Sequence, residues 1–171
     1  MKHDEALKIA QDVVEQLRPH CERIEIAGSI RRVKPEVKDI EVCVIPKTIE
    51  LTSGLFGDEK YKETSREFID TVNQWYKIKG EPFGKYTQRR LIEGINLDLF
   101  MATEENWGCI YLIRTGSWEF SKQFMVWLLQ KGLKCDGGYV WQGDKIIPTP
   151  TEERMFTLVG RSYIEPQNRN L

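Results

Sequence analysis

The chain has 171 residues, 40% of them hydrophobic and 30% charged, with a net charge of −1. That balance excludes a disordered or fibrous chain and suits one domain or two small lobes sharing a core. No apolar run reaches the roughly 18 residues of a membrane-spanning helix, and the charged N-terminus MKHDEALKIA lacks a signal-peptide core, so a cytoplasmic, membrane-free monomer is expected.

Asp4 to Leu17 reads as an amphipathic helix, with Ala6, Ile9, Ala10, Val13, Val14 and Leu17 at helical spacing and Pro19 beyond its end. Arg23 to Ala27 alternates charged and apolar residues as a half-buried strand does. Gly28-Ser29 breaks it, Ile30 to Val33 suits a short helical turn, and Pro35 keeps the chain extended or turned as far as Asp39. A second strand runs from Asp39 to Ile45, with Asp39, Glu41 and Cys43 on one face and Ile40, Val42 and Val44 on the core face. Thr48 to Gly57 reads as a loop. Asp58 to Trp75 reads as a helix capped by Asp58, with Tyr61, Phe68, Ile69, Val72 and Trp75 as its apolar stripe. Strands follow at Tyr76 to Lys79, Tyr86 to Ile92 and Ile95 to Met101, the last two a hairpin about a Glu93-Gly94 turn. Asp98 is a lone acid in that apolar final strand.

Beyond Ala102 the pattern changes. Thr103 is placed to cap a helix through Ile113, and Ser117 another from Trp118 to Lys131, stopped by Gly132. Short strands at Leu133 to Cys135, Tyr139 to Trp141 and Lys145 to Ile147 precede a helix capped by Thr151 and ending near Val159-Gly160. The expected class is α+β: a mixed β-sheet with flanking helices over 1–102, and a smaller α+β lobe over 103–171.

Two acids side by side on a strand repel by about 4 kcal/mol at 4 Å and an effective dielectric of ~20. If the strands of Asp39-x-Glu41 and Asp98 are neighbours, three carboxylates converge and a pair of divalent ions becomes the physically reasonable occupant. Oxygen ligands favour magnesium or manganese. The spacing alone reads equally well as a loop end, a surface strand residue and an exposed acid. The Gly28-Ser29 pair followed by Arg31 and Arg32 sharpens it, since glycine admits a phosphate to the backbone, serine adds a hydroxyl donor and arginine binds anions bidentately. From Lys77 to Arg90 five basic residues (Lys77, Lys79, Lys85, Arg89, Arg90) stand against one acid, Glu81, a solvated face unless it flanks a centre acting on a polyanion. Cys21, Cys43, Cys109 and Cys135 form no CxxC pair and read as reduced residues; with only His3 and His20 besides, no zinc site is expected.

The stretch GSIRRVKPEVKDIEVCVI resembles the active-site signature of the nucleotidyltransferase superfamily typified by DNA polymerase beta, the family X DNA polymerases. INLDLF resembles the strand of the third catalytic acid, RTGSWEFSK the T-G-S turn and helix of the nucleotide-binding lobe, and YIEPQNR the closing segment. The resemblance implies a catalytic palm over 1–102, a thumb-like nucleotide-binding lobe over 103–171, and a minimal enzyme starting at the catalytic lobe. It implies Asp39, Glu41 and Asp98 as ligands of two Mg2+ (or Mn2+) ions. Gly28, Ser29 and Arg32 would grip the β- and γ-phosphates of a dNTP, and Thr115, Gly116 and Ser117 would shape the sugar and base pocket. Lys122 would contact the template, with Lys77, Lys79, Lys85, Arg89, Arg90 and Arg114 completing a DNA-binding set. The implied reaction is attack of a primer 3′-hydroxyl on the α-phosphorus with release of pyrophosphate, on gapped or primer-template DNA, an accessory protein supplying further grip. Glu41 stands where the family uses aspartate, Arg114 where it has an aromatic, and Ser121 and Met125 where asparagine and arginine meet the nascent pair. These departures suit low fidelity, and the alternatives are an untemplated nucleotidyltransferase or a non-catalytic nucleic-acid-binding module.

Overall fold

The computed structural model describes residues 1–53 and 59–170. Helix α1 (His3–Leu17) gathers Ala6, Ala10, Val13, Val14 and Leu17 into one buried stripe. That stripe packs on the core-facing residues of the sheet, and each large aliphatic side chain buried there contributes about 1.5–3 kcal/mol. Strand β1 (Cys21–Ile26) leads through Ala27 into a single helical turn, α2 (Gly28–Arg31), and the chain returns as β2 (Asp39–Pro46). Alternation on β2 works as its pattern predicts: Ile40, Val42 and Val44 are fully buried in the core beneath α1.

The next stretch departs from expectation. Thr48 to Ser53 is strand β3, paired antiparallel with β4 (Glu59–Thr64) as a two-stranded ribbon, where a loop and a helix were expected. The charged residues of EKYKET favour helix by propensity, yet cross-strand pairing overrides that preference, and Lys60 and Glu50 pair across the ribbon at 2.9 Å. The helix is confined to α3 (Arg66–Val72), capped by Ser65, whose Oγ accepts from Phe68 N. Gly54, Gly57 and the expected cap Asp58 lie outside the described residues. Of the expected stripe, Phe68 and Val72 enter the core, whereas Tyr61 sits on the ribbon, 43% exposed.

Strands β5 (Tyr76–Gly80), β6 (Tyr86–Arg90) and β7 (Asn96–Met101) complete a five-stranded sheet in the order β1-β2-β7-β6-β5. It is mixed: β2 and β7 run parallel at the centre, and the other pairs are antiparallel. Helices α1 and α3 cover one face. The second face is covered at one end by α4 (Trp107–Thr115), whose Trp107, Ile110 and Tyr111 pack on Cys43, Ile45 and Phe100. Helix α4 starts at Trp107 and not near Thr103, because Asn106 Oδ1 accepts from Thr103 N and closes a turn first.

The smaller lobe comprises α4, α5 (Trp118–Gln130), the three-stranded sheet of β8 (Lys134–Asp136), β9 (Tyr139–Gln142) and β10 (Lys145–Ile147), and α6 (Glu152–Val159). Its core holds Leu112, Phe120, Phe124, Leu128, Val140 and Phe156. Of the expected caps Thr103 fails, since α4 begins after Asn106, and the others are in place: Ser117 Oγ accepts from Phe120 N, Thr151 Oγ1 accepts from Arg154 N, and Gly160 closes α6 at φ 67°. The class is α+β, as the sequence predicts. Among the described residues no helix is long and apolar enough to cross a membrane.

Candidate functional site

Strands β2 and β7 pair with Glu41 opposite Asp98 and Asp39 opposite Asn96. Opposed residues of adjacent strands share a sheet face, so Asp39, Glu41 and Asp98 lie together on the face that α1 leaves uncovered, at the end away from Trp107. Asp98 is 7% exposed. Its Oδ1 accepts from the Tyr86 hydroxyl at 2.5 Å and from Gln88 Nε2 at 2.8 Å, which fixes the carboxylate's orientation.

Glu41 packs against Gly28. This glycine has φ 62°, and a Cβ there would lie 1.9 Å from Glu41 Oε2. Only glycine satisfies both the backbone and the neighbouring carboxylate. Ala27 N donates to Glu41 O at 2.8 Å, joining the Gly-Ser turn to the acid strand. Burial first, then the charges of Asp39 and Asp98, pushes the Glu41 carboxyl up to about 7. Burial and Asp98 raise Asp39 as well. Arg32 and Arg114 oppose the rise on Glu41 only from a distance, and among the described residues no ion pair includes any of the three acids.

Two further polar atoms near this cluster are buried without a hydrogen-bond partner: Ser29 Oγ in the Gly-Ser turn and Asn96 Oδ1 opposite Asp39. An unsatisfied buried group costs about 1–3 kcal/mol, which marks a place where a partner from outside fits. In chemistry, three hard oxygen donors beside an uncompensated repulsion fit a divalent cation. In placement, no three His, Cys, Asp or Glu side chains among the described residues converge tightly enough to hold one as they stand.

The paired arginines divide their work. Arg31 donates to Thr115 Oγ1 at 2.7 Å and bidentately to Glu152 at 2.8 and 2.7 Å, and it lies 3.8 Å above the Tyr111 ring. Arg169, fully buried, donates to the same carboxylate at 2.6 and 3.3 Å, and the Tyr163 hydroxyl adds a third donor at 3.0 Å. Burial alone would raise Glu152, but the bonds from Arg31 and Arg169 outweigh it and hold the carboxyl below its ordinary value. Arg32 donates to Thr115 O at 2.5 Å and to Asn170 Oδ1 at 3.0 Å, and it is the arginine whose field reaches Glu41 and Asp39.

The T-G-S turn is accordingly a joint between the lobes. Thr115, expected in a sugar and base pocket, is fully buried and accepts from both arginines. At Gly116 a Cβ would come within 2.5 Å of Phe120, so glycine is required for α5 to start where it does. Ser117 caps that helix, and its N donates to Arg169 O at 3.0 Å. Ser121 bonds back to Ile113 O at 2.9 Å, and Met125 packs on the lobe's core.

Among the expected DNA contacts, Arg89 is a correction. It is fully buried and donates to Asn73 Oδ1 at 3.1 Å, beneath the sheet. Register explains this: Gln88 bonds Asp98 on the acid face, so its neighbour Arg89 points to the opposite face, and Lys77, paired with Arg89, does too. Lys77 is further engaged by Glu81. By the same alternation Lys79, opposite Gln88, and Arg90 stand on the acid face. Lys85 reaches Gly137 O at 3.4 Å across an open cleft of about 730 Å³, whose wall includes Phe83, Tyr86, Phe100, Arg114 and Tyr139. The Arg114 guanidinium lies 4.1 Å above Phe100 in that wall. On α5, Lys122 sits 4.8 Å over the ring of Trp118, which is 71% exposed.

Sequence reasoning missed Tyr86, Gln88 and Glu152. A signal for the first two existed in hairpin register. A two-residue Glu93-Gly94 turn would set Gln88 against Leu99, whereas the chain closes with Leu91 N on Ile95 O and a three-residue turn, setting Gln88 against Asp98. Gly94, at φ 80°, supplies the left-handed residue that such a turn needs.

Residues 110–170 match the family model of the DNA polymerase beta thumb. The smaller lobe is therefore similar to that thumb; the strands carrying the acids lie outside the matched region. No curated protein matches the chain.

Proposed function

We propose that the protein is a DNA-directed nucleotidyltransferase that adds a dNMP to a primer 3′-hydroxyl with release of pyrophosphate. The observation that carries the reading is the in-register placement of Glu41 against Asp98, with Asp39 one step along, on a strand pair joined to a lobe similar to a polymerase thumb. Asp39, Glu41 and Asp98 would hold two Mg2+ or Mn2+ ions; when bound, such ions stabilise the attacking and leaving oxygens of an in-line displacement. Tyr86 and Gln88 hold the Asp98 carboxylate by their two hydrogen bonds. The orphaned Ser29 hydroxyl in the Gly28-Ser29 turn suits the terminal phosphates of a nucleoside triphosphate, with Arg32 as the cation whose charge reaches Glu41 and Asp39. Arg31, Glu152 and Arg169 orient the thumb-like lobe over that position. DNA contacts are proposed at Lys79, Lys85, Arg90, Arg114 and Lys122, with the Trp118 face available for stacking on a base.

A second reading, untemplated addition, is favoured by one observation. Ser121 donates to Ile113 O and Met125 packs on the lobe's core, so neither side chain is offered to a nascent pair. Primer extension with magnesium and each dNTP, on gapped, recessed and single-stranded substrates, separates the readings. Templated synthesis extends the gapped primer with the complementary nucleotide only; untemplated addition extends single strands with any. Failure to extend any substrate, with DNA binding unchanged by Asp98→Ala, leaves the non-catalytic module.

A further inference from the structure

Four cysteines are present, and two of them touch. Cys109 Sγ and Cys135 Sγ lie 3.3 Å apart, from α4 and β8, the edge strand of the small sheet. Cys21 and Cys43 are buried elsewhere, in the core beneath α1 and against Trp107. Cys109 is fully buried among Leu112, Phe124 and Val140, so no reagent reaches it directly. Cys135 is partly exposed, one residue before the Asp136-Gly137-Gly138 turn, whose glycines line the open cleft. One residue of the pair is therefore partly exposed at the edge of the core and the other is buried against it, the arrangement of an attacking and a resolving cysteine.

We propose that Cys109 and Cys135 form an oxidisable dithiol that peroxide closes to a disulfide, stapling α4 to the small sheet of the thumb-like lobe. The Cys135 thiolate attacks one oxygen of hydrogen peroxide: an S–O bond forms, the O–O bond breaks, and the departing hydroxide takes up the proton that Cys135 released. The Cys109 sulfur then attacks the Cys135 sulfenic sulfur. The S–S bond forms, the S–O bond breaks, and water leaves carrying the Cys109 proton. Both sulfurs are oxidised by one electron each and one peroxide is reduced to two waters.

The geometry asks little of the fold. A disulfide needs an S–S length near ~2.05 Å, so the sulfurs must close by a little over 1 Å, and an edge strand three residues long can move that far more easily than a central one. The S–S contact also divides the pair chemically: it raises the Cys109 thiol and draws Cys135 below an ordinary cysteine, with Arg114 lowering both. Burial instead pushes Cys21 and Cys43 up, which leaves them inert. The bond would close a loop between positions 26 apart, enclosing α5 and the Thr115-Gly116-Ser117 joint. None of this rests on the proposed polymerase activity.

The test uses the whole chain, fully reduced, exposed to hydrogen peroxide, quenched in acid and alkylated under denaturing conditions. The expected result is a mass loss of about 2 Da, the two hydrogens given up in disulfide formation. Two thiols should alkylate instead of the original four, with one cross-linked peptide pair containing Cys109 and Cys135, all reversed by dithiothreitol. The unfolding midpoint should rise on oxidation by about 5–10 °C. Cys135→Ser should leave three alkylatable thiols after the same exposure. Four thiols still alkylated, a sulfinic acid on Cys135 with Cys109 unmodified, or a link between two chains would each overturn the proposal.

Discussion

Two charge clusters are tied to neighbouring residues of the chain, Arg31 and Arg32, and they are built on opposite principles. Around Glu152, two arginines and a tyrosine hydroxyl converge on one carboxylate, so every charge is answered from within the chain. Around Glu41, two further carboxylates share the face and, among the described residues, no cation closes an ion pair with any of them. Arg31 belongs to the first cluster and Arg32 faces the second, so adjacent residues serve opposite ends of the design. The contrast is physical: the satisfied cluster ties α2 to α6 and the chain's C-terminal segment, and the acid cluster keeps its mutual repulsion.

The largest effect should come from unmaking the satisfied cluster. Glu152→Ala strands the buried Arg169 guanidinium and the half-buried one of Arg31, and should cost about 3–5 kcal/mol in a urea titration. A loss below about 1 kcal/mol would mean that Glu152 is no joint. The acid cluster should answer with the opposite sign. The folded state binds the Glu41 proton more tightly than the unfolded chain, whose value is near 4.5. That stabilisation is fully present below 4.5 and is lost as pH rises through about 7. Glu41→Gln removes this penalty, so without divalent ions it should gain up to about 3 kcal/mol over wild type at about pH 8. At pH 4.5 it should gain little, and nucleotide incorporation should be abolished. Equal unfolding free energies of variant and wild type at both pH values would refute the raised Glu41 carboxyl, whose causes are burial first and the neighbouring acids second.

A smaller shift sharpens the same comparison. Magnesium at ten times its dissociation constant should stabilise wild type by about 1.4 kcal/mol at about pH 8, reversed by a chelator. In Glu41→Gln the gain should shrink, and in Glu152→Gln it should persist. The smallest effect concerns neither cluster. Val33, just past the two arginines, is a β-branched residue at φ 57° and 64% exposed. Val33→Gly should relieve about 1 kcal/mol of left-handed strain, less glycine's extra chain entropy, measurable as a raised melting midpoint with an unchanged pH profile.

Much of the fold was legible from period alone. Ile40, Val42 and Val44 alternate with Asp39, Glu41 and Cys43, and that alternation sent the aliphatic set under α1 and the acids to the other face. Helix caps at Ser117 and Thr151 were equally local, since the hydroxyl and the amide it serves are three residues apart. The ribbon of β3 and β4 was not legible, because charged residues with helical propensity become strand only when a partner strand supplies the hydrogen bonds.

What the sequence by itself determined was the list of chemical groups and the face each would occupy within its own strand. It placed Asp39, Glu41 and Asp98 as candidate acids and Gly28-Ser29 as a turn that admits an anion. Tertiary structure decided which strands are neighbours and in what register. Parallel pairing of β2 with β7 set Glu41 against Asp98, a three-residue turn set Gln88 against Asp98, and the same alternation took Arg89 out of the basic face. It also spent Arg31 on Glu152, 121 positions away. The hairpin register follows its turn, but the β2–β7 register joins strands far apart in the chain and is chosen by the burial of whole faces at once, since a one-residue slip reverses every side chain.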